Sequence, residues 1–241
     1  TTSARYLQQI IDIGTYPGGS ISNVSSPPYQ PGTCILFIDG LRFDIAKRLS
    51  TMLDLSQYTV VETTQWVALP SVTATGKPSI SPVRNEITAH NISADFEPEI
   101  SVSGKPANHR NHMKLLEDSG WQVLDRTETG NPGGLAWTEL DAIDKSGHDG
   151  NLPQRLDGIL NEIKDRIRLL LDAGWQKIDI VTDHGWLFLP NGLPKVALAQ
   201  SLTDNQWGRC ASVKPGASIP EKTYPWFWNP DHYFADRKSV V

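Results

Sequence analysis

The stretch Cys34-Ile-Leu-Phe-Ile38, followed at once by Asp39-Gly40, is the strongest fold signal in the sequence. Five consecutive apolar residues without alternation are typical of a strand that is buried on both faces of a parallel sheet. After the turn, apolar residues recur at four-residue spacing from Leu41 and predict a helix over 41–53. A buried strand that leads into a helix is the repeating unit of α/β proteins.

Strand and helix signals alternate through the rest of the chain. The clearest helix is predicted over 152–173, with Asn151 as its expected N-cap and Gly174 after its last turn. The segment Ile178-Asp-Ile-Val-Thr182 predicts a second buried strand, and Asp183-His184-Gly185 follows it directly. Weaker strand signals lie at 58–62, 121–124, 137–143, 195–199 and 224–234. We therefore expect an α/β fold with a largely parallel central sheet flanked by helices.

The domain organisation follows from the distribution of these signals. Residues 1–32 contain a short predicted helix over 4–13 and then a linker rich in Pro, Gly and Ser, so we expect the chain to begin inside a longer protein. Residues 33–241 are expected to form one domain. Within it, 78–108 is the least regular stretch and is interpreted as a surface excursion or a small cap over the edge of the sheet.

The composition excludes several classes of protein. With 241 residues, 39% of them hydrophobic, and with eight Trp, the chain is too apolar to be disordered throughout. No apolar run approaches the ~20 residues of a membrane span, and no basic segment followed by an apolar core marks a secretory signal. Cys34 and Cys210 are interpreted as reduced thiols of a cytoplasmic protein. The net charge of −5 provides no electrostatic attraction to nucleic acid.

Acidic residues follow both of the predicted buried strands. Ligand sites in open α/β sheets lie beyond the carboxyl ends of the strands, so Asp39 and Asp183 are expected to converge. Asp183-His184 places a carboxylate beside an imidazole, which is typical of a site for a hard or borderline metal ion. Two alternatives stay open at this point: Asp39 is the N-cap of the following helix, or Asp183-His184 is a hydrogen-bonded pair in a loop.

Two further motifs lie between these strands in the sequence. In Asp144-Lys-Ser-Gly-His148, the four-residue spacing across a Ser-Gly turn lets both end residues reach one ion from a short loop; the alternative is an exposed surface loop. The segment Leu69-Pro-Ser-Val-Thr-Ala-Thr-Gly76 offers three hydroxyl groups in a turn; the alternative is an ordinary capping turn. The histidines at 90, 109 and 112 are interpreted as surface residues.

The order of these motifs resembles that of the alkaline phosphatase superfamily, in particular its phosphodiesterase and phosphonate-hydrolase branches. The closer resemblance is to the PglZ domain of BREX-type bacterial phage-defence systems, and it extends from Thr33 to Phe234. The blocks that carry it are Phe37-Ile-Asp-Gly-Leu-Arg-Phe-Asp44, Ala68-Leu-Pro-Ser-Val-Thr-Ala-Thr75 and Thr182-Asp-His-Gly185. The resemblance implies an alkaline-phosphatase-like fold.

The resemblance also implies a site and a reaction. Asp39, Asp183 and His184 would bind a zinc ion, and Thr73 would be the nucleophile that faces it. The reaction would be an in-line attack of Thr73 at phosphorus, as in a zinc-dependent phosphoesterase or phosphodiesterase of a phage-defence protein. Its partners would be a phosphate-ester substrate, with nucleic acid among the candidates, and other proteins of the defence system, and no membrane.

The same resemblance implies a second zinc ion, held by Asp144 and His148. Superfamily members usually supply one more histidine to this ion from further along the chain. Here His232 is the only later histidine, and its surroundings do not match the usual block. The last ligand is therefore expected beyond Val241, which would leave the second site incomplete in this chain.

A rival hypothesis belongs to a different class of protein. A scaffold that keeps the phosphatase fold, with weak or no catalysis, could act by binding defence-system partners or DNA. The acidic net charge and the incomplete second site favour this hypothesis. A third hypothesis is an α/β domain without a metal, in which the motifs are fortuitous. Turnover of a chromogenic phosphodiester separates the first two hypotheses, and the metal content of the purified protein tests the third.

Overall fold

The computed structural model describes residues 29–53, 56, 58–63, 67–185, 197–206, 209–221 and 223–236. Within these ranges the chain forms a four-stranded parallel sheet flanked by helices, and a second, antiparallel sheet of four strands. The predicted α/β class with a largely parallel central sheet is therefore confirmed. The expected helix over 4–13, and the linker up to residue 28, lie outside the described residues.

Helices and strands follow one another in mixed order along the described part of the chain. The helices are α1 (Phe43–Met52), α2 (Thr73–Ile80), α3 (His109–Asp118), α4 (Ala142–His148) and α5 (Leu152–Asp172). The strands are β1 (Thr33–Ile38), β2 (Ile87–Thr88), β3 (Glu99–Ile100), β4 (Gln122–Leu124), β5 (Leu135–Leu140), β6 (Lys177–Val181), β7 (Thr203–Gln206), β8 (Cys210–Val213), β9 (Thr223–Trp226) and β10 (Asn229–Asp236). None of these helices has both the length and the apolar character that a membrane span requires.

The parallel sheet is built around β1, which lies between β5 and β6 in the strand order β4-β5-β1-β6. Every residue of β1 is buried, because one face of the strand packs against α1 and α5 and the other face packs against α2 and α3. This two-sided burial explains the uninterrupted apolar run of β1. Because β1, β5 and β6 are parallel, their carboxyl ends lie at the same edge of the sheet.

The antiparallel sheet has the strand order β7-β8-β10-β9 and packs against the segment that leads into α2. Trp226 and Phe234 of this sheet form one buried apolar cluster with Phe96, and Val72, just before α2, contacts this cluster. Phe96 belongs to 78–108, the segment interpreted as an excursion or cap, which also contains the β2–β3 pair. The chain therefore holds α2 between the two sheets: Val72, just before the helix, packs against the antiparallel sheet, and Ile80, its last residue, packs against the parallel sheet.

Several predicted elements differ from the observed ones. The strand predicted over 137–143 ends at Leu140, and the chain continues into α4, because Leu140 and Ile143 both pack in the core between the parallel sheet and α5. Residues 58–62, predicted as a strand, are irregular and mostly exposed. The described part of 195–199 is also irregular. The signal near the C-terminal end is divided between two strands, β9 and β10.

Candidate metal centre

Three potential metal ligands meet at the carboxyl edge of the parallel sheet. Asp39 directly follows β1, and Asp183 and His184 follow the neighbouring strand, β6. One ligand atom of each residue lies within 4.8 Å of the other two. His184 Nε2 is 3.3 Å from Asp39 Oδ1 and 3.9 Å from Asp183 Oδ2. The predicted convergence of the two strand-end aspartates is confirmed.

Arg42 is the N-cap residue of α1, so the alternative interpretation of Asp39 as a helix cap is wrong.

The electrostatics of this group favour a bound cation. Asp183 is fully buried; its Oδ1 accepts a 3.5 Å hydrogen bond from the Gly40 N–H, and its Oδ2 has no hydrogen-bond partner among the described residues. Burial raises the pKa of Asp183 to about 6, and the charge of Asp39 acts in the same direction. Burial disfavours the charged form of His184, but its hydrogen bond to Asp39 and the charge of Asp183 outweigh this effect and raise its pKa. Because a buried carboxylate without a partner is costly, these residues fit a metal ion.

Thr73 faces these ligands from the first turn of α2. Its Oγ1 lies 3.3 Å from His184 Nε2 and donates a hydrogen bond of 3.4 Å to Asp39 Oδ1. Val72 is the N-cap residue of α2, and no side chain caps the helix there. The alternative interpretation of this segment as an ordinary capping turn is therefore wrong. The hydroxyl of Thr73 is directed at the three candidate ligands instead.

Gly76 lets α2 approach the edge of the parallel sheet. A Cβ atom at this position would lie 2.8 Å from the Cβ of Asp183 and 3.0 Å from the Asp183 carbonyl oxygen. The close approach therefore requires glycine, and it brings Thr73, less than one helical turn earlier, to the ligands. Sequence reasoning missed the role of Gly76, although a glycine within a helical segment can indicate close packing.

Asp144 lies beside the three ligands, and His148 lies further out. Asp144 Oδ1 is 3.6 Å from His184 Nε2, and Asp144 Oδ2 is 3.4 Å from His148 Nε2. The prediction that these residues share a short loop is wrong, because both lie on α4, where a four-residue spacing places side chains on one face. The Asp144 side chain is 17% exposed, whereas that of His148 is 68% exposed. Asp144 is therefore the inner residue of the pair.

Two other histidines lie in the core. His232 Nε2 is 3.1 Å from Ser212 Oγ, the ring packs against Phe96, and His232 is not among the side chains grouped at the metal centre. The prediction that His112 lies on the surface is wrong, because α3 turns this residue toward the parallel sheet. His112 Nε2 is 2.8 Å from Ser81 Oγ, and burial lowers the pKa of His112 to about 3.

Two arginines lie near the metal centre. Gly185, directly after His184, packs against Arg42, since a Cβ atom on Gly185 would lie 3.1 Å from the Arg42 Cα. The guanidinium group of Arg42 forms an ion pair with Asp44. Arg209 is close enough for its positive charge to lower the pKa of His184. Sequence reasoning missed Arg209, because nothing in its local sequence connects it to the ends of the parallel strands.

The chain was also compared with known proteins. No protein-family model matches it, and no curated protein matches it. The chemistry of the site must therefore be argued from its side chains, which are two carboxylates, an imidazole and a hydroxyl within a few ångströms of one another at the edge of a parallel sheet.

Proposed function

We propose that this chain is a metal-dependent phosphoesterase domain, similar to the PglZ domains of phage-defence proteins, in which Thr73 attacks phosphorus. The observation that carries the proposal is the position of the Thr73 hydroxyl, within 3.5 Å of both Asp39 and His184 in a buried, carboxylate-rich group. A free threonine hydroxyl is a weak nucleophile at neutral pH, and metal ligands at this distance provide the means to activate it.

Zinc is the metal that we propose, since carboxylates and imidazole are among its usual ligands. When bound, it lowers the pKa of a hydroxyl that faces it and stabilises negative charge on phosphate oxygens. Asp39, Asp183 and His184 would hold the ion at the sheet edge. Thr73 Oγ1, which donates a hydrogen bond to Asp39, would give its proton to that carboxylate and form a bond to phosphorus. The P–O bond on the opposite side would break, and the leaving oxygen would take a proton from water to become the alcohol. Water hydrolyses the phosphothreonine and releases phosphate or a phosphomonoester.

The rest of the site provides contacts for the phosphate group. No side chain caps the first N–H groups of α2, the first turn of the helix contains no acidic residue of its own, and N–H groups at a helix N-terminus attract anions. Arg209 adds positive charge near His184. These features support a phosphate ester as substrate, in a cytoplasmic protein whose candidate substrates include nucleic acid.

We expect about one tightly held zinc ion per chain. Asp144 and His148 are the residues that we propose for a second ion, but two protein ligands fall short of the three that catalytic zinc usually has. His232, in the core of the antiparallel sheet, is not available to complete this second site. Elemental analysis after dialysis against a weak chelator measures the zinc content per chain. Two tightly held zinc ions per chain would show that a further residue completes the second site.

Replacement of Thr73 by Ala is the direct test of the proposed reaction. With zinc present, hydrolysis of bis(p-nitrophenyl) phosphate should fall by more than about 10³-fold, the scale on which loss of a nucleophile reduces kcat in other hydrolases. Thr73→Ser, which keeps the hydroxyl, should retain a substantial part of the activity. Both variants should bind zinc, because the three ligands from the parallel sheet are unchanged.

Two results would count against the enzyme. Equal turnover by Thr73→Ala and wild type would exclude Thr73 as the nucleophile. Zinc binding by the wild type without turnover of mono- or diesters would favour the alternative, a phosphatase-fold scaffold that binds other defence proteins or DNA.

A further inference from the structure

The segment that carries Thr73 is attached to the antiparallel sheet, whereas the metal ligands belong to the parallel sheet. Before α2, the Leu69 carbonyl oxygen accepts a 2.8 Å hydrogen bond from the Phe227 N–H. In the first turn of α2, two indole N–H groups donate to Thr75. Trp226 Nε1 is 2.9 Å from Thr75 Oγ1, and Trp228 Nε1 is 3.1 Å from the Thr75 carbonyl oxygen.

The hydrogen bonds of the Thr75 hydroxyl lock its orientation. Thr75 is fully buried, and while its Oγ1 accepts from Trp226, it donates to the Phe96 carbonyl oxygen at 3.1 Å. The hydroxyl therefore acts as acceptor and donor at the same time. Trp226 is itself buried in the apolar cluster of the antiparallel sheet, with Phe96 beside it. Thr75 thus connects one short helix to a rigid aromatic core.

We propose that Thr75 is a positioning residue, which sets the distance between the Thr73 hydroxyl and the metal ligands. The two threonines are two residues apart in the same turn of an eight-residue helix, so a shift or rotation at Thr75 moves Thr73 with it. The next residue, Gly76, contacts Asp183 without a side chain that could hold α2 in place. The hydrogen bonds to Trp226 and Trp228 supply the restraint that this contact lacks. This inference rests on the proposed function.

The activity test uses Thr75→Val, which keeps the shape of the side chain and removes both hydrogen bonds of the hydroxyl. We expect kcat to fall by about 10- to 100-fold with little change in KM, because a misplacement of about 1 Å can cost about 10²-fold. Thr75→Ser should restore kcat. The matched control is Thr203→Val, at the far edge of the antiparallel sheet, which also removes the hydroxyl of a buried threonine. An equal loss of kcat in this control would show that kcat falls because the protein is destabilised, and not because Thr73 is displaced.

A second readout does not require turnover. In a Thr73→Cys variant loaded with Co²⁺, a thiolate at position 73 should bind the ion and produce thiolate-to-cobalt charge-transfer absorption. Adding Thr75→Val should remove this band and keep the weaker d–d absorption of bound Co²⁺. The Co²⁺-loaded wild-type protein is the control, because it shows any thiolate absorption that comes from the two native cysteines, Cys34 and Cys210, which are both buried. If Thr75→Val does not fold, Trp228→Phe, which removes the other indole donor, takes its place.

The outcomes separate the positioning role from the proposed reaction. A band that persists after Thr75→Val, with kcat unchanged, overturns the positioning role and leaves the phosphoesterase proposal standing. If the band appears in Thr73→Cys and is lost when Thr75→Val is added, but the wild-type protein hydrolyses no phosphate ester, the positioning role is supported and the proposed reaction is overturned. Bound Co²⁺ with no band in Thr73→Cys alone overturns both, since position 73 then does not reach the ion.

Discussion

Replacement of Asp183 by Asn is expected to abolish zinc binding and turnover and to leave the metal-free protein at least as stable as the wild type. Asp183 is fully buried between Gly40 and His184, and its carboxylate lies close to that of Asp39 without a hydrogen bond to its Oδ2 within the described residues. Removing this charge removes a ligand and also a repulsion. Calorimetric titration of the chelator-treated protein with zinc measures the first effect, and unfolding in urea measures the second.

The effect of Asp183→Asn on the stability of the metal-free protein should depend on pH, and its sign follows from the raised pKa of Asp183. Burial raises the pKa of Asp183 in the folded, metal-free protein from its usual 3.8 to about 6, so ionisation of this group above pH 6 destabilises the folded state by on the order of 3 kcal/mol. Below about pH 4 the carboxyl group is protonated in both states, and the destabilisation disappears. Asp183→Asn should therefore raise the free energy of unfolding at pH 8 and change it little at pH 4.

The matched control for this experiment is Asp179→Asn on β6, the strand that Asp183 follows. Asp179 is partly exposed and pairs with Lys177, so its replacement should leave zinc affinity unchanged. In the wild type and in this control, zinc should raise the melting temperature, because an ion that binds only the folded state stabilises it; in Asp183→Asn zinc should have no such effect. A large loss of stability of metal-free Asp183→Asn would instead identify Asp183 as a structural hydrogen-bonding residue.

The convergence of Asp39 and Asp183 could be predicted from two local features of the sequence, the apolar run of each strand and the aspartate that follows it. An uninterrupted apolar run, as in 34–38, requires burial on both faces, and such strands occur in parallel sheets whose carboxyl ends meet at one edge. The positions of Asp39 and Asp183 directly after their strands then determine that they converge. Neither the prediction of the strands nor that of the aspartate positions requires knowledge of which distant residues pack against these strands.

The parts that could not be predicted depend on contacts between distant residues. Nothing in the local sequence of Thr75 indicates that its hydroxyl accepts from Trp226, which lies 151 positions away. The interpretation of 144–148 as a loop rested on a Ser-Gly pair, but core packing of Ile143 favours a helix there. His112 has a polar local sequence, and the packing of α3 on the parallel sheet decides its burial.

Replacement of Gly76 by Ala is expected to abolish turnover and to destabilise the protein by about 1–3 kcal/mol, the usual range for overpacking a core. The added methyl group would lie 2.8 Å from the Asp183 Cβ and 3.0 Å from its carbonyl oxygen, and neither atom is the end of a flexible side chain. The helix α2 must therefore move away from the sheet edge, and Thr73 moves with it. Urea unfolding and turnover of bis(p-nitrophenyl) phosphate measure the two effects.

Gly158→Ala is the matched control, because it makes the same change within a helix where a Cβ atom would meet nothing within 4 Å apart from the neighbouring backbone of its own helix. Alanine is favoured over glycine in a helix interior by roughly 0.5–1 kcal/mol, so this variant should be slightly more stable than the wild type and equally active. The two substitutions therefore have opposite expected signs, and the difference comes from the contact of α2 with Asp183. A Gly76→Ala protein with the stability and turnover of the wild type would show that the close approach of α2 is not required to bring Thr73 to the metal ligands.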